Sequence, residues 1–242
     1  MGLGTKLGRC EPGTTLRAVT EEEQDQVIAG LLRRLWRSPP LLHPFRPLSA
    51  MTQHWSDDML ADRERWPDRS LVREGLRLFE ELPRSAPIEV LLATDMHAGN
   101  VLRATREPWL VIDPKPFVGD PAYDATQHLF NCPARMRSDP VGMIHRFSDL
   151  RGLDAERVRL WMFARAAAEP RGPLEQRRIH RACTKPSLAI GREPKVLLGE
   201  TAPLATVCAY GYPGSADETC HWTRPRPTNV RIRTKSPRPP PR

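Results

Sequence analysis

The most informative segment of the sequence is a short polar loop at residues 93–100, which reads ATDMHAGN. It carries a carboxylate, Asp95, and an amide, Asn100, and a second carboxylate, Asp113, follows after one more predicted strand. Phosphoryl transfer to a hydroxyl needs a carboxylate that orients the nucleophile and accepts its proton. It also needs hard oxygen ligands that hold Mg²⁺ on the nucleotide phosphates. The three residue types and their order therefore indicate phosphoryl-transfer chemistry.

Two short β-rich runs flank this loop, and they must position its side chains. Residues 88–92 and 109–112 are rich in Val, Ile and Leu, which predicts two strands that carry the three polar residues on one hairpin. A D-x-x-x-x-N spacing alone is a weak signal, because Asp and Asn are frequent turn residues. The flanking strands and the later Asp113-Pro114-Lys115 make the chemical interpretation stronger than the turn interpretation.

Helical patterns surround the β segment. A capping box at Thr20 and Glu23 predicts the start of a first helix that ends before Ser38. Further helical patterns cover residues 56–66, 67–82, 121–130, 141–150 and 154–169, the last with Asp154 as its N-cap. The predicted fold class is α+β, mostly helical with a small β-hairpin insert.

The C-terminal part of the chain has a different composition. Residues 171–242 hold 14 Lys/Arg and 5 Asp/Glu, so this part accounts for the net charge of +8, and it ends in RPRPTNVRIRTKSPRPPPR. Such a composition resists packing, which predicts a disordered, low-complexity basic tail over residues 172–242. A basic tail can neutralise nucleic-acid phosphates without reading sequence, but we expect no specific nucleic-acid partner.

Other sequence features limit the cellular setting. No apolar run approaches the roughly 18 to 20 residues of a membrane span, and the N-terminus lacks the apolar stretch of a signal peptide, so we expect a cytoplasmic protein without membrane contact. The five cysteines are scattered and form no CxxC pair, which predicts free thiols rather than disulfides or a zinc site. We expect a monomer.

The segment EVLLATDMHAGNVLRATREPWLVIDPKPFVGDPAYDATQHLFNC closely resembles the aminoglycoside/hydroxyurea resistance kinases, and streptomycin 6-kinases in particular. The resemblance extends from about Arg9 to Arg171. It implies a protein-kinase-like fold in which residues 16–171 are the helical C-terminal lobe of an aminoglycoside phosphotransferase, and residues 1–15 are the remnant of the hinge between lobes.

The resemblance also implies roles for the loop residues. Asp95 would be the catalytic base for the antibiotic hydroxyl, and Asn100 and Asp113 would hold Mg²⁺ against the phosphates of ATP. His97 would contact the sugar, or fix the loop through a backbone hydrogen bond. Lys115 would approach phosphate, or remain a solvated lysine. The implied partner is a small aminoglycoside substrate.

The motif Gly119-Asp120-Pro121-Ala122-Tyr123-Asp124 belongs to the same family pattern. It reads as a turn that feeds a helix, with Asp120 near the positive end of the helix, and this favours a structural role. The alternative is that Asp120 or Asp124 contacts a cationic aminoglycoside.

The nucleotide-binding parts of a kinase are not evident in the sequence. The glycine-rich opening at residues 2–8 does not match G-x-x-x-x-G-K-[ST] and follows no strand, so no cofactor-binding residue is predicted. The chain resembles a kinase truncated at its ATP lobe, and we expect impaired or absent activity. The alternatives are an antibiotic-binding lobe without catalysis, or a nucleic-acid binder acting through the basic tail.

Overall fold

Helices make up most of the part of the chain that the computed structural model describes, residues 10–66 and 68–168. They are α1 Glu21–Leu35, α2 Leu48–Ala61, α3 Arg69–Arg84, α4 Pro121–Phe130, α5 Pro133–Ser138, α6 Pro140–Arg151 and α7 Ala155–Ala168. The predicted mostly helical α+β class is confirmed. None of these described helices has both the length and the apolar character that crossing a bilayer requires. The tail predicted at residues 172–242 lies outside the described residues.

Side-chain caps begin several helices where the sequence indicates. At α1, Glu23 N donates to Thr20 Oγ1 at 3.3 Å and Thr20 N donates to Glu23 Oε2 at 3.2 Å, so the predicted capping box is confirmed. At α7, Glu156 N donates to Asp154 Oδ1 at 2.8 Å. These caps satisfy backbone donors that have no partner within the helix.

Within the described residues, six short strands form two three-stranded sheets. The strands are β1 Pro12–Thr15, β2 Arg46–Pro47, β3 Val90–Leu92, β4 Val101–Ala104, β5 Trp109–Val111 and β6 Phe117–Gly119. The first sheet has the order β1-β4-β5 and is antiparallel. The second has the order β2-β6-β3, with β2 and β6 parallel and β3 antiparallel to β6. Residues 12–15 of the predicted hinge segment thus form an edge strand.

The predicted pairing of residues 88–92 with residues 109–112 is wrong. β3 and β5 lie in different sheets, and β5 pairs instead with β4, which begins directly after Asn100. A short connection at residues 105–108 closes the β4–β5 hairpin, as short loops between antiparallel strands do. The loop at residues 93–100 therefore carries the chain from one sheet to the other.

The helix α4 packs against α7, and α7 packs in turn against α3. Gly75 of α3 lies against α7, where a Cβ at position 75 would approach Ala167 Cβ to 2.4 Å, so the missing side chain permits the close approach. On α4, the ring of Tyr123 packs edge-on against Trp161 of α7, with centroids 5.1 Å apart. Both aromatic side chains are buried. This packing fixes the position of α4, which contacts the polar loop at residues 93–100.

Candidate active site

The carboxylate of Asp124, on α4, anchors the loop at residues 93–100. It accepts hydrogen bonds from Ala93 N at 3.0 Å, Thr94 N at 2.7 Å and Trp36 Nε1 at 3.1 Å. Asp124 is fully buried, and burial raises its pKa although the three donors act in the opposite direction. Its hydrogen bonds tie the loop to α4 and to the end of α1.

Thr94 is held in a left-handed backbone conformation, with φ of 51°. A β-branched residue rarely adopts this conformation, which costs on the order of 1–3 kcal/mol. Besides the bond to Asp124, Thr94 Oγ1 donates to Lys115 O at 2.6 Å, and Lys115 N donates to Ala93 O at 2.9 Å. These hydrogen bonds offset the backbone strain at Thr94 and fix the position of the backbone just before Asp95.

The carboxylate of Asp95 has a separate contact at each oxygen. Gln127 Nε2 donates to Oδ1 at 2.9 Å, and the Lys115 ammonium contacts Oδ2. His97 Nε2 lies 3.7 Å from Oδ1. The Asp95 side chain is 21% exposed, so these contacts hold the carboxylate and leave part of it accessible from solvent.

Asn100 and Asp113 lie together at the end of the β4–β5 ladder, because Ile112 N donates to Asn100 O at 2.9 Å. Asn100 Nδ2 donates to Asp95 O at 3.0 Å, so the amide oxygen is the Asn100 atom that could bind a metal ion. Asp113 has φ of 50° and a largely exposed carboxylate. The structure brings Asp95, Asn100 and Asp113 together, and the last two offer the hard oxygen atoms that Mg²⁺ prefers.

Lys115 lies between the two carboxylates of the site. Its ammonium contacts Asp95 and is 3.3 Å from Asp113 Oδ2. Burial opposes its charge, but the two carboxylates outweigh burial and raise the pKa of Lys115. Lys115 is therefore paired with both carboxylates rather than solvated.

His97 contacts its own loop. Gly99 N donates to His97 Nδ1 at 3.0 Å, so the ring caps the short turn at residues 98–100. Burial lowers the pKa of His97 although Asp95 pulls it upward, which keeps the ring neutral at pH 7. This geometry favours the loop-fixing alternative.

Asp120 caps α4 and is nearly inaccessible. Ala122 N donates to Oδ1 at 2.9 Å, while Trp161 Nε1 at 2.6 Å and Arg157 Nε at 2.5 Å donate to Oδ2. Asp120 and Asp124 are both buried with their oxygens engaged. Their burial favours the structural role over direct contact with an aminoglycoside.

The sequence interpretation missed Gln127 as a residue of the site. Gln127 lies one helical turn after Asp124, so both side chains emerge from the face of α4 that meets the loop. That spacing was the available signal. Gln127 Oε1 also accepts a hydrogen bond from Arg165 Nη2 at 2.7 Å. Arg165 is 38 residues later in the sequence, on α7, so no local pattern links the two residues.

One buried group of potential metal ligands occurs among the described residues. Ligand atoms of Asp25, His128 and Cys132 lie within 4.8 Å of one another. Arg135 donates to both oxygens of Asp25, at 2.6 and 2.7 Å, and His128 Nε2 lies 2.6 Å from Asp25 Oδ1. Because the guanidinium already neutralises the carboxylate, this group is an ion-pair network.

The chain is similar to several characterised enzymes. It is 35% identical over 167 residues to a hydroxyurea phosphotransferase of Kitasatospora aureofaciens, covering 66% of this chain and 47% of that one. It is 40% identical over 124 residues to a streptomycin 6-kinase of Streptomyces griseus, covering 49% and 39%. For a streptomycin 6-kinase of Streptomyces glaucescens the identity is 34% over 173 residues, covering 66% and 54%. The chain spans about half the length of these relatives.

A solved structure supports the fold. The chain resembles the choline kinase LicA of Streptococcus pneumoniae with a TM-score of 0.50 at 16% identity, covering 72% of this chain and 66% of that one. This likeness concerns the fold alone, which is kinase-like. The family model of the aminoglycoside/hydroxyurea antibiotic resistance kinases matches residues 6–170, more than half of the chain. The chain therefore belongs to the aminoglycoside/hydroxyurea antibiotic resistance kinase family.

Proposed function

We propose that the protein is an ATP-dependent O-phosphotransferase that phosphorylates a hydroxyl of a streptomycin-like aminoglycoside. The observation that carries the proposal is the arrangement around Asp95. Its backbone oxygen accepts a hydrogen bond from Asn100, and its partly exposed carboxylate shares the Lys115 ammonium with Asp113. A proton acceptor and two side chains whose oxygen atoms could hold Mg²⁺ thus lie close together, on the loop and directly after β5. Resemblance to streptomycin 6-kinases supports streptomycin as the first acceptor to test.

In this proposal Asp95 acts on the acceptor hydroxyl. The hydroxyl donates a hydrogen bond to the carboxylate, and its oxygen attacks the γ-phosphorus of ATP. The new P–O bond forms as the bond to the β-phosphate oxygen breaks, ADP leaves, and the hydroxyl proton passes to Asp95. The ion pair with Lys115 would hold the Asp95 carboxylate in place during this step.

Asn100 and Asp113 would hold Mg²⁺. Both present oxygen atoms, and Asp113 is exposed enough to reach a phosphate-bound ion. The bound ion would neutralise charge on the phosphates. These two residues also account for the order of the motif, in which the amide follows the base and the second carboxylate follows the hairpin.

The test is phosphoryl transfer itself. Purified protein is incubated with ATP, Mg²⁺ and streptomycin, and phosphorylated drug is measured by mass spectrometry, with hydroxyurea as a second acceptor. Asp95→Asn should lower the rate by about 10²–10⁴-fold, because the amide cannot accept the proton. Asp58→Asn, which changes an exposed carboxylate on α2, is the matched control and should keep the rate.

Two other outcomes would change the assignment. Equal product from wild type and Asp95→Asn would exclude Asp95 as the base. Streptomycin binding by calorimetry without product would support the non-catalytic antibiotic-binding alternative.

A further inference from the structure

Gln127 connects the catalytic loop to the helical core. Its side chain lies between Asp95 on the loop and Arg165 on α7. Gln127 Nε2 donates to Asp95 Oδ1 at 2.9 Å, and Gln127 Oε1 accepts from Arg165 Nη2 at 2.7 Å. One amide thus bridges a carboxylate that only accepts hydrogen bonds and a guanidinium that only donates them.

This bridge fixes the orientation of the amide. If the amide turned by 180°, its oxygen would face the Asp95 carboxylate and its NH₂ group would face the Arg165 guanidinium, so both hydrogen bonds would be lost. The chemistry of the two neighbours therefore requires the nitrogen to face Asp95. Gln127 is a directed donor to the carboxylate.

Arg165 is itself held rigidly. Its side chain is buried, and its Nη1 donates to Thr126 Oγ1 at 2.7 Å. Its guanidinium lies 5.1 Å from the ring centroids of both Tyr123 and Phe130. Hydrogen bonds and stacked rings together place the guanidinium, and through it the Gln127 amide, in one position.

A neutral donor suits this oxygen of Asp95. Lys115 already brings one positive charge to Oδ2, and Gln127 donates to Oδ1 without bringing a second charge. The amide therefore restricts rotation of the carboxylate through a hydrogen bond alone. The two residues therefore have different roles: Lys115 provides the positive charge, and Gln127 restricts the orientation of the Asp95 carboxylate.

We infer that Gln127 is a positioning residue, locked by Arg165, that sets the orientation of the Asp95 carboxylate toward the acceptor hydroxyl. The inference rests on the proposed function for its catalytic consequence. The contact itself exists independently of turnover. An orienting role predicts a loss in the chemical step with little change in acceptor binding, because Gln127 acts through Asp95.

Two variants separate direction from charge. Gln127→Met keeps the length of the side chain and removes the donor, and it should lower kcat by about 10- to 100-fold with the acceptor KM nearly unchanged. Gln127→Glu keeps an acceptor for Arg165 but places a second carboxylate against Asp95, so kcat should fall further although the side chain has the same shape. Gln26→Met, an exposed change on α1, should leave both constants at their wild-type values.

Thermal unfolding tests the contact without requiring activity. Melting temperatures are measured for wild type, Gln127→Met, Asp95→Ala and the double variant. Because the two residues share a hydrogen bond, the loss in the double variant should be smaller than the sum of the two single losses. Additive losses would overturn the contact.

The two measurements keep the inference separate from the proposed function. If wild type forms no product, the proposed function fails, and the unfolding cycle alone decides whether Gln127 holds Asp95. If wild type is active, an unchanged kcat in Gln127→Met overturns the inference and leaves the proposed function intact. A rise in acceptor KM with unchanged kcat would also overturn it, because that result indicates substrate contact.

Discussion

At the scale of the residue, the charge around the loop depends on Lys115. Asp95 and Asp113 both face its ammonium, and Asp95 is less exposed than Asp113. Without this cation, two carboxylates would share a partly buried site and repel each other. A metal ion held by Asn100 and Asp113 would supply part of the same neutralisation.

Lys115→Met is therefore expected to slow phosphoryl transfer by about tenfold or more at low Mg²⁺, with part of the loss recovered as Mg²⁺ increases. The melting temperature should change little, because partly exposed ion pairs contribute only about 0–1 kcal/mol. The measurement is the initial rate across a MgCl₂ titration. Lys115→Arg, which keeps the charge, should retain most of the rate. A rate loss in Lys115→Met that Mg²⁺ leaves unchanged would contradict this explanation.

At the scale of the element, α4 organises the site. Asp120 caps its start, Asp124 anchors the loop and Gln127 contacts Asp95, all within three turns of one helix. The position of α4 depends in turn on α7, through Trp161 and Arg165. α3 also packs against α7, at the close contact of Gly75 with Ala167.

Two glycines within helices test this support. Gly30→Ala on α1 meets nothing within 4 Å, so it should stabilise the fold by up to about 1 kcal/mol through helix propensity. Gly75→Ala gains the same propensity but places its Cβ 2.4 Å from Ala167 Cβ, and it should destabilise by about 1–3 kcal/mol. Urea unfolding of both variants measures the difference. Equal stabilisation by the two changes would show that the α3–α7 contact yields easily.

At the scale of the whole molecule, a buried ion-pair network joins the first helix to the middle of the chain. Asp25 of α1 pairs with His128 of α4 and with Arg135 of α5. Arg135 also contacts Glu21 at 2.8 Å. These contacts connect segments more than 100 residues apart in the sequence. The protonation of Asp25 and His128 therefore affects global stability.

The pKa shifts in this network predict how stability changes with pH. Burial opposes both charges, but Arg135 and His128 lower the pKa of Asp25 below 3.8, and Asp25 and Cys132 raise the pKa of His128 above 6.5. The contribution of Asp25 is present above its unfolded pKa and is lost as pH falls through the folded value. The contribution of His128 is present below pH 6.5 and is lost as pH rises through its folded pKa.

The melting temperature should therefore be highest between about pH 4 and 6.5 and decline on the alkaline side. His128→Gln removes the titrating group, so its melting temperature should be lower at pH 6 and should decline less between pH 6.5 and 9. Calorimetry of both proteins over pH 4–9 measures this difference. Parallel curves would exclude His128 as the source of the decline.

Local signals in the sequence determined much of the fold and the chemical character of the site. The capping box at Thr20 and the Asp154 cap are confirmed, because caps depend on residues within one turn of each other. The helix predicted at residues 121–130 is also confirmed. Asp95, Asn100 and Asp113 were identified from residue type and order, and the structure brings them together. Their roles remain predictions until transfer is measured.

The tertiary structure decided which distant groups meet. Strand pairing depends on the path of the whole chain, so the loop at residues 93–100 joins two sheets where the sequence indicated one hairpin. The partner of Asp124 is the loop backbone about 30 residues earlier, and Gln127 meets an arginine 38 residues later. Local patterns report burial and propensity, but they contain no distance between residues far apart in the chain. For this reason the sequence by itself identified the chemical groups of the site, and only packing of α4 against α7 and the loop assigned each group its neighbour.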